Sequence, residues 1–315
     1  MEKLSNYLLS IIIPHYNNPN KLQKLIESIK DFKHTQIIVV DDMSNKFIKN
    51  YLILRNYFRD RVEFYYNDTK IKGAGKCRNI GIEKSLGKWL MFSDDDDFFV
   101  ENAFEVISNF LKDDSDVILF KPTSLDLITK KPSLRHVYYS NLITNYDINN
   151  HKSILDLKYR FVIPDSKMIK REFVIQNGIF FDEVLKANDV MFSVKLGHLM
   201  KNFRLVDQNV HTITKDVNTL TTIKRVDFLN SQMRVFINRD LYLKANLEKK
   251  DYYYIRSNPI WQLLSILRSG YGLKQALIIA RLFKSSKIIS IRDFNPLEII
   301  QKAMISVYQK KERFF

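Results

Sequence analysis

Four consecutive carboxylates, Asp94-Asp95-Asp96-Asp97, follow directly on Trp89-Leu90-Met91-Phe92-Ser93. This junction constrains the chain more than any other stretch. The apolar run suits one buried strand, and the aspartates stand where that strand stops. Four adjacent negative charges repel one another unless a cation neutralises them. Open α/β sheets bind ligands at the carboxyl ends of their strands. An oxygen-only donor set favours a hard divalent ion, Mg²⁺ or Mn²⁺, with coordination positions left for a substrate's phosphates. An acidic turn after a buried strand is the competing reading, and the run alone does not decide between them.

The surrounding sequence supplies the sheet. Leu8-Leu9-Ser10-Ile11-Ile12-Ile13 reads as a buried strand, short and rich in branched residues. Pro14-His15-Tyr16-Asn17-Asn18 turns the chain, and Pro19 suits the first position of a helix capped by Asn18. Leu22, Leu25, Ile26 and Ile29 then recur at helical spacing. Gln36-Ile37-Ile38-Val39-Val40 is a second buried strand, ending at Asp41-Asp42. This β-α-β opening predicts a parallel sheet with helical crossovers. Further strands are predicted at 62–66, 89–93, 117–120, 161–164, 167–169 and 210–214, with helices from Gly75, around 103–110 and over 170–177.

Several familiar readings fail on spacing. No Gly-x-Gly-x-x-Gly follows the first strand. Gly73-Ala74-Gly75-Lys76 lacks the spacing and the hydroxyl residue of a nucleoside-triphosphate loop. An EF-hand loop starting at Asp94 would place Phe99 where glycine is required. One cysteine, Cys77, rules out an intramolecular disulfide and points to a reducing, cytoplasmic compartment. Neither a signal peptide nor a run of apolar residues long enough to span a bilayer is evident.

The formal charge of +15 is uneven. Residues 226–315 carry 16 Lys/Arg against 7 Asp/Glu, a net +9, and the first 225 residues supply the remaining +6. No nucleic-acid motif accompanies this excess. The tail reads as helical, with Ser257-Asn258-Pro259 as a helix start and Gly270 and Gly272 separating two apolar helices that bear basic residues. Such a hairpin suits either an anionic membrane surface, on the inner face of the cytoplasmic membrane, or a packed helical subdomain.

Four motifs in order resemble the inverting glycosyltransferases of family 2: Pro14-His15-Tyr16-Asn17, Val40-Asp41-Asp42-Met43-Ser44, Cys77-Arg78-Asn79-Ile80-Gly81 and Phe92-Ser93-Asp94-Asp95-Asp96-Asp97. The resemblance is strong over residues 8–120 and weaker over 160–222. It implies an α/β GT-A fold, a mixed sheet flanked by helices, with a C-terminal helical extension. It divides the chain into a catalytic domain, 1–225, and a basic helical region, 226–315. Within the first, 1–120 would bind the nucleotide-sugar and 121–225 the acceptor.

The same resemblance implies roles. Pro14 and Tyr16 would flank the base, Asp41 or Asp42 would bind base and ribose, and Arg78 would meet the diphosphate. Asp94 and Asp96 form the Asp-x-Asp pair that holds Mn²⁺ or Mg²⁺. Asp95 would face the sugar, and Asp97 would be a ligand or a helix cap. His211 is a candidate third metal ligand. Asn188-Asp189 occupies the family's Glu-Asp position, which makes Asp189 the catalytic base. Read without the resemblance, Asn188 or Asp189 is a helix cap. Asn218-Thr219-Leu220-Thr221 resembles the family's closing Ser/Thr-Leu-Thr, and Arg135-His136-Val137-Tyr138-Tyr139 is a candidate acceptor wall. The expected partners are a nucleoside-diphosphate sugar, UDP-sugars first, and a glycan or lipid-linked acceptor in surface-polysaccharide synthesis. A non-catalytic sugar-nucleotide or glycan-binding module and a nucleotidyltransferase are the alternatives.

Overall fold

The computed structural model describes residues 7–30, 34–216 and 224–288. The chain falls into two compact units, Met1–Thr219 and Leu220–Phe315. In the first, β1 (Leu9–His15), α1 (Pro19–Ser28), β2 (Thr35–Asp41), α2 (Ile48–Tyr57), β3 (Val62–Tyr66), α3 (Ala74–Lys84) and β4 (Trp89–Phe92) alternate as expected. There follow β5 (Phe98–Phe99), α4 (Ala103–Ser108), β6 (Val117–Asp126), α5 (Val137–Thr144), α6 (His151–Arg160), β7 (Lys167–Lys170), α7 (Arg171–Gln176), α8 (Asn188–Leu199) and β8 (Phe203–Lys215).

The strands form one mixed sheet in the order β3-β2-β1-β4-β7-β6-β8-β5. β1 runs parallel to β2 and to β4, with His15 opposite Asp41 and Ile12 opposite Phe92. The carboxyl ends of these strands therefore share one edge, and the motif residues that follow them emerge together. β7 is antiparallel to β4 and β6. β5 pairs antiparallel with β8, Phe99 opposite His211, so the strand that begins just after Asp97 is stitched to the histidine's strand.

Alternation along the central strands divides the core. Ile11, Ile13, Val39 and Met91 pack with Leu22, Leu25 and Ile26 of α1 on one face. Ile12, Ile38, Leu90 and Phe92 pack with Ile82 of α3 and Phe192 and Leu196 of α8 on the other. Pro19 opens α1 as expected, although the Asn18 side chain makes no capping hydrogen bond. Gly178, at φ +58°, closes α7.

The predicted strand over 161–164 does not form. Pro164 cannot donate to a ladder, and the Phe161 carbonyl instead accepts from Lys167 Nζ at 2.8 Å. Residues 121–160 complete β6 and supply α5 and α6.

The second unit holds α9 (Val226–Asn246), α10 (Lys249–Ile255), α11 (Pro259–Arg268) and α12 (Gly272–Ser285). Leu229, Met233, Ile237, Ile266, Ile279 and Phe283 form its core. Asn258 caps α11 by accepting from the Trp261 amide at 3.1 Å. Gly270 and Gly272 take φ of +79° and +81° in the turn to α12. Among the described residues no helix is long and apolar enough to cross a membrane. Asn218-Thr219-Leu220-Thr221 and 289–315 lie outside the described residues.

Two glycines test the packing. A Cβ at Gly197 would lie 1.7 Å from the Lys158 carbonyl oxygen, whereas one at Gly178 would meet nothing within 4 Å. Gly197→Ala must push α8 away from α6 and is expected to cost about 3 kcal/mol. Gly178→Ala suffers only from left-handed backbone, about 1 kcal/mol. Urea denaturation of both variants measures the difference.

Candidate active site

Three elements bring the predicted aspartates and Arg78 together at one edge of the sheet. The end of β4 supplies the aspartates, α3 supplies Arg78, and the start of α8 supplies Asn188 and Asp189. Arg78 is buried. Its guanidinium donates to Asn188 Oδ1 at 2.7 Å and pairs with the Asp94 carboxylate, and its Cζ lies 5.1 Å from the Phe181 ring centroid. Burial opposes the charge, but Asp94, Asp165 and Asp189 hold the pKa of Arg78 above its ordinary value. Arg78 Nε is buried without a hydrogen-bond partner among the described residues.

The glycine-rich stretch at the start of α3 makes this approach possible. A Cβ at Gly75 would stand 2.3 Å from the Asp182 carbonyl oxygen and 2.9 Å from Asn188 Cβ. Lys76 pairs with Glu183 at 3.0 Å, and Asn79 exchanges hydrogen bonds with the Phe181 backbone at 2.9 and 3.0 Å. One face of α3 thus clamps the segment that leads into α8. The N-cap position of α8 is Ala187, in a left-handed conformation and with no side-chain cap. Neither Asn188 nor Asp189 serves as the cap.

The four aspartates take four different environments. Asp94 pairs with Arg78. Asp95 turns back to β1, where it accepts from the Tyr16 amide at 3.3 Å and meets His15 Nδ1 at 2.6 Å. Burial raises its pKa, against the opposing effect of His15. Asp96 is pushed up to about 6, first by burial and then by Asp94 and Asp95, with Lys21 and Arg135 opposing. Asp97 is buried, and its Oδ1 accepts from the Thr214 amide at 2.7 Å. Burial and then Asp165 drive its pKa well above the carboxylate range.

These carboxylates form two groups that share Asp97. In each, one ligand atom per residue lies within 4.8 Å of the others: Asp94, Asp96 and Asp97, and Asp97, Asp165 and His211. His211 stands in the second group, and Asp94 is near enough to act on its pKa. Its Nε2 meets Ser93 Oγ at 2.8 Å, and burial lowers its pKa to about 4, which keeps the ring neutral. His211 Nδ1 and Asp165 Oδ1 are buried with no hydrogen-bond partner among the described residues. Neutral imidazole, clustered carboxylates and orphaned lone pairs fit a divalent cation. Asp165 escapes a reading of the sequence, because a single aspartate after Pro164 carries no local signal.

Asp189 lies in the first turn of α8. Burial raises its pKa, with Arg78 opposing and Asp94 adding to the rise. Lys167 is buried within electrostatic reach of Asp189, donates to the Phe161 carbonyl and Ser193 Oγ, and its pKa is lowered to about 7, chiefly by burial. Of the candidate acceptor wall, Tyr139 is near enough for Asp189 to raise its phenol, after burial, and Arg135 acts on Asp96 while donating to the Thr214 carbonyl. His136 turns away to Ser124 Oγ at 2.7 Å.

On the nucleotide side, Asp41 accepts from the Ser44 amide at 2.9 Å and hydroxyl at 2.5 Å. Asp42 accepts from Asn67 Nδ2 at 2.8 Å and the Gly73 amide at 2.9 Å. Pro14 lies within β1, and Tyr16 is half exposed with Lys72 Nζ 5.2 Å from its ring centroid.

A parallel half-sheet, a carboxylate run at its switch to antiparallel strands and an aspartate in the first turn of α8 together define a GT-A transferase fold. The family model of glycosyl transferase family 2 matches residues 10–178, more than half of the chain, and the chain belongs to that family. It is 26% identical over 249 residues to an uncharacterized glycosyltransferase of Haemophilus influenzae, covering 76% of this chain and 78% of that protein. It is 26% identical over 215 residues to the poly(ribitol-phosphate) β-N-acetylglucosaminyltransferase TarP of Staphylococcus aureus, covering 66% of this chain and 63% of TarP. It spans between 17% and 23% of three matching Rickettsia glycosyltransferases. The crystal structure of S. aureus TarS 1–349 in complex with UDP-GlcNAc shares the fold, with a TM-score of 0.60 at 22% identity, over 78% of this chain and 69% of that one.

The raised pKa of Asp96 carries a signed consequence. The folded protein keeps this proton to about pH 6, whereas the unfolded chain loses it near 3.8. Between those values the folded state binds more protons, so the contribution of Asp96 to stability falls as pH rises. Without metal, Asp96→Asn is therefore expected to raise the melting temperature at pH 7, with the gain vanishing toward pH 4. Mn²⁺ should raise the melting temperature of the native protein more at pH 7 than at pH 5, and should raise that of Asp96→Asn less. Thermal denaturation with and without chelator reads all three effects.

Proposed function

We propose that the protein is an inverting glycosyltransferase that moves a sugar from a nucleoside-diphosphate sugar, specifically a UDP-sugar, to an acceptor hydroxyl of a surface glycan. The observation that carries the reading is the bridge of Arg78 between Asp94 and Asn188. Through it the Asp-x-Asp run and the aspartate that opens α8 act on one another in a single site. The UDP-GlcNAc held by the structurally similar TarS supports UDP as the nucleotide, and the poly(ribitol-phosphate) in the name of TarP supports a cell-surface polymer as acceptor.

We assign catalysis to residues 1–225, with the donor in 1–120 and the acceptor in 121–225. Pro14 and Tyr16 border the base, and Asp41 and Asp42 bind base and ribose at the end of β2. Arg78 presents a planar guanidinium to the diphosphate, a bidentate geometry that lysine lacks. Asp94, Asp96 and Asp97 hold the divalent ion, Mn²⁺ or Mg²⁺, with His211 and Asp165 beside them. Such an ion, when bound, offsets the negative charge that grows on the leaving diphosphate. The sugar's edge falls to Asp95, which its bonds to His15 and Tyr16 hold in one orientation.

A sugar hydroxyl is a poor nucleophile at neutral pH and needs a positioned base. We assign that role to Asp189. Burial raises its pKa, which makes it a stronger base than a solvated carboxylate, and Arg78 opposes that rise. The hydroxyl then attacks in line with the departing diphosphate, and the anomeric carbon inverts in one displacement. We place the enzyme at the cytoplasmic side of a membrane that carries a lipid-linked acceptor, where the basic 226–315 region meets anionic lipid.

Asp189→Asn preserves shape but takes no proton. Turnover is expected to fall on the order of 10²-fold or more, with the affinity for the UDP-sugar little changed. Steady-state release of UDP and calorimetric donor binding test the two parts separately. Loss of donor affinity together with turnover removes the base assignment. A panel of UDP-, GDP- and dTDP-sugars with Mn²⁺ tests the donor. Release of pyrophosphate, or of no product, replaces transfer by one of the two alternatives.

A further inference from the structure

The second helix of the catalytic unit has a use that the transfer reaction leaves unexplained. α2 turns Tyr51 and Leu54 inward, but it is apolar on its outer face too. Ile53 is 70% exposed and Tyr57 76%, with Leu52 and Ile48 beside them. Phe47, just before the helix, is 62% exposed and sits at φ +55°, a left-handed conformation costly for an aromatic residue. The loop is held that way: Asn17 Oδ1 accepts from the amides of Asn45 at 2.8 Å and Lys46 at 2.7 Å. Asn17 follows Tyr16, so the rim of the nucleotide site fixes where Phe47 points.

The charge around these side chains is mostly positive. Lys46, Lys49, Arg55 and Arg59 stand in or beside the helix, and Asp60 is the acidic residue among them. Arg55 covers the Tyr66 ring and bonds its hydroxyl at 2.7 Å. Large apolar and aromatic tips ringed by cations match the boundary between lipid headgroups and acyl chains. A second copy of this chain fits less well, because a symmetric pairing of α2 faces would oppose the two lysine sets.

We propose that α2 and Phe47 form a docking surface for an anionic lipid membrane, with Ile53, Tyr57 and Phe47 entering the interface and Lys46 and Lys49 meeting the headgroups. This contact is made by residues of the catalytic unit. It requires no particular sugar chemistry, so it stands or falls independently of the transfer reading.

Flotation of the full chain with vesicles of phosphatidylcholine alone, or of phosphatidylcholine with phosphatidylglycerol, tests it. The native protein is expected to float with the anionic vesicles, less so as salt rises. Ile53→Ser with Tyr57→Ser, and separately Lys46→Glu with Lys49→Glu, should each cut the partition roughly tenfold or more. Melting temperature and turnover with a water-soluble acceptor should not change. No flotation of the native protein overturns the proposal, as does undiminished flotation of both variants, which would locate binding in 226–315. Loss in the charge variant alone also overturns it, leaving attraction without insertion. A concentration-dependent dimer that the serine variant dissolves, with no vesicle binding, assigns the face to a second copy.

Discussion

The buried guanidinium of Arg78 is the contact on which the site depends. Burying a charge costs several kcal/mol unless partners replace its water. Here Asp94 and Asn188 replace it, and the ring of Phe181 covers it. The relation is mutual. Asp94, Asp165 and Asp189 would repel one another across the same small volume, and Arg78 opposes the rise that burial imposes on Asp165 and Asp189. Removing it would strand several carboxylates at once and release the start of α8. The cation that organises the site therefore also opposes the rise in the pKa of Asp189.

That arrangement needs close backbone contact, and the sequence provides it by leaving side chains out. Gly75 admits the Asp182 carbonyl, and Gly73, at φ +131°, turns the chain into α3 while Asp42 accepts from its amide. The stretch that superficially resembles a phosphate loop is thus a hinge of contact between α3 and the 181–188 segment. Asp42 serves the same end, because its bonds to Asn67 and Gly73 fix the loop before α3. A residue assigned to the nucleotide also shapes the helix that carries Arg78.

Most of the fold and much of the site are legible in the sequence because their signals are local. Buried parallel strands read as short branched runs, and the residues that follow them share an edge by the geometry of βαβ units. Arg78, Asp94, Asp96 and Asp189 come together as their motifs imply. Asp165 is invisible at that level, since only the antiparallel β6-β7 pairing and the β6-β8 contact carry the segment after Pro164 to the acid cluster. His211 stands out in the sequence, but its company does not. The β5-β8 pairing brings it to Asp97 and Asp165, and a two-residue strand such as β5 leaves no periodic trace. Lys167 reads as part of an apolar strand, and its burial against Ser193 of α8 follows from which face of β7 turns inward. The strand expected over 161–164 fails for a similar reason, because a lysine rather than a neighbouring strand satisfies the Phe161 carbonyl.

The departure at Asn188 gains a physical explanation from the same geometry. The family resemblance leads one to expect glutamate before the catalytic aspartate. The Asn188 oxygen faces Arg78, and Asp94 already occupies the other arm of the guanidinium. A carboxylate at 188 would compete with Asp94 for Arg78 and add a further negative charge beside Asp165 and Asp189, whose pKa values burial already raises. A neutral amide accepts the same hydrogen bond without that repulsion. Asn188 and the four-aspartate run are accordingly two parts of one balance. The chain concentrates charge at the end of β4 and withholds it from position 188, so Arg78 can serve Asp94 and Asn188 at once.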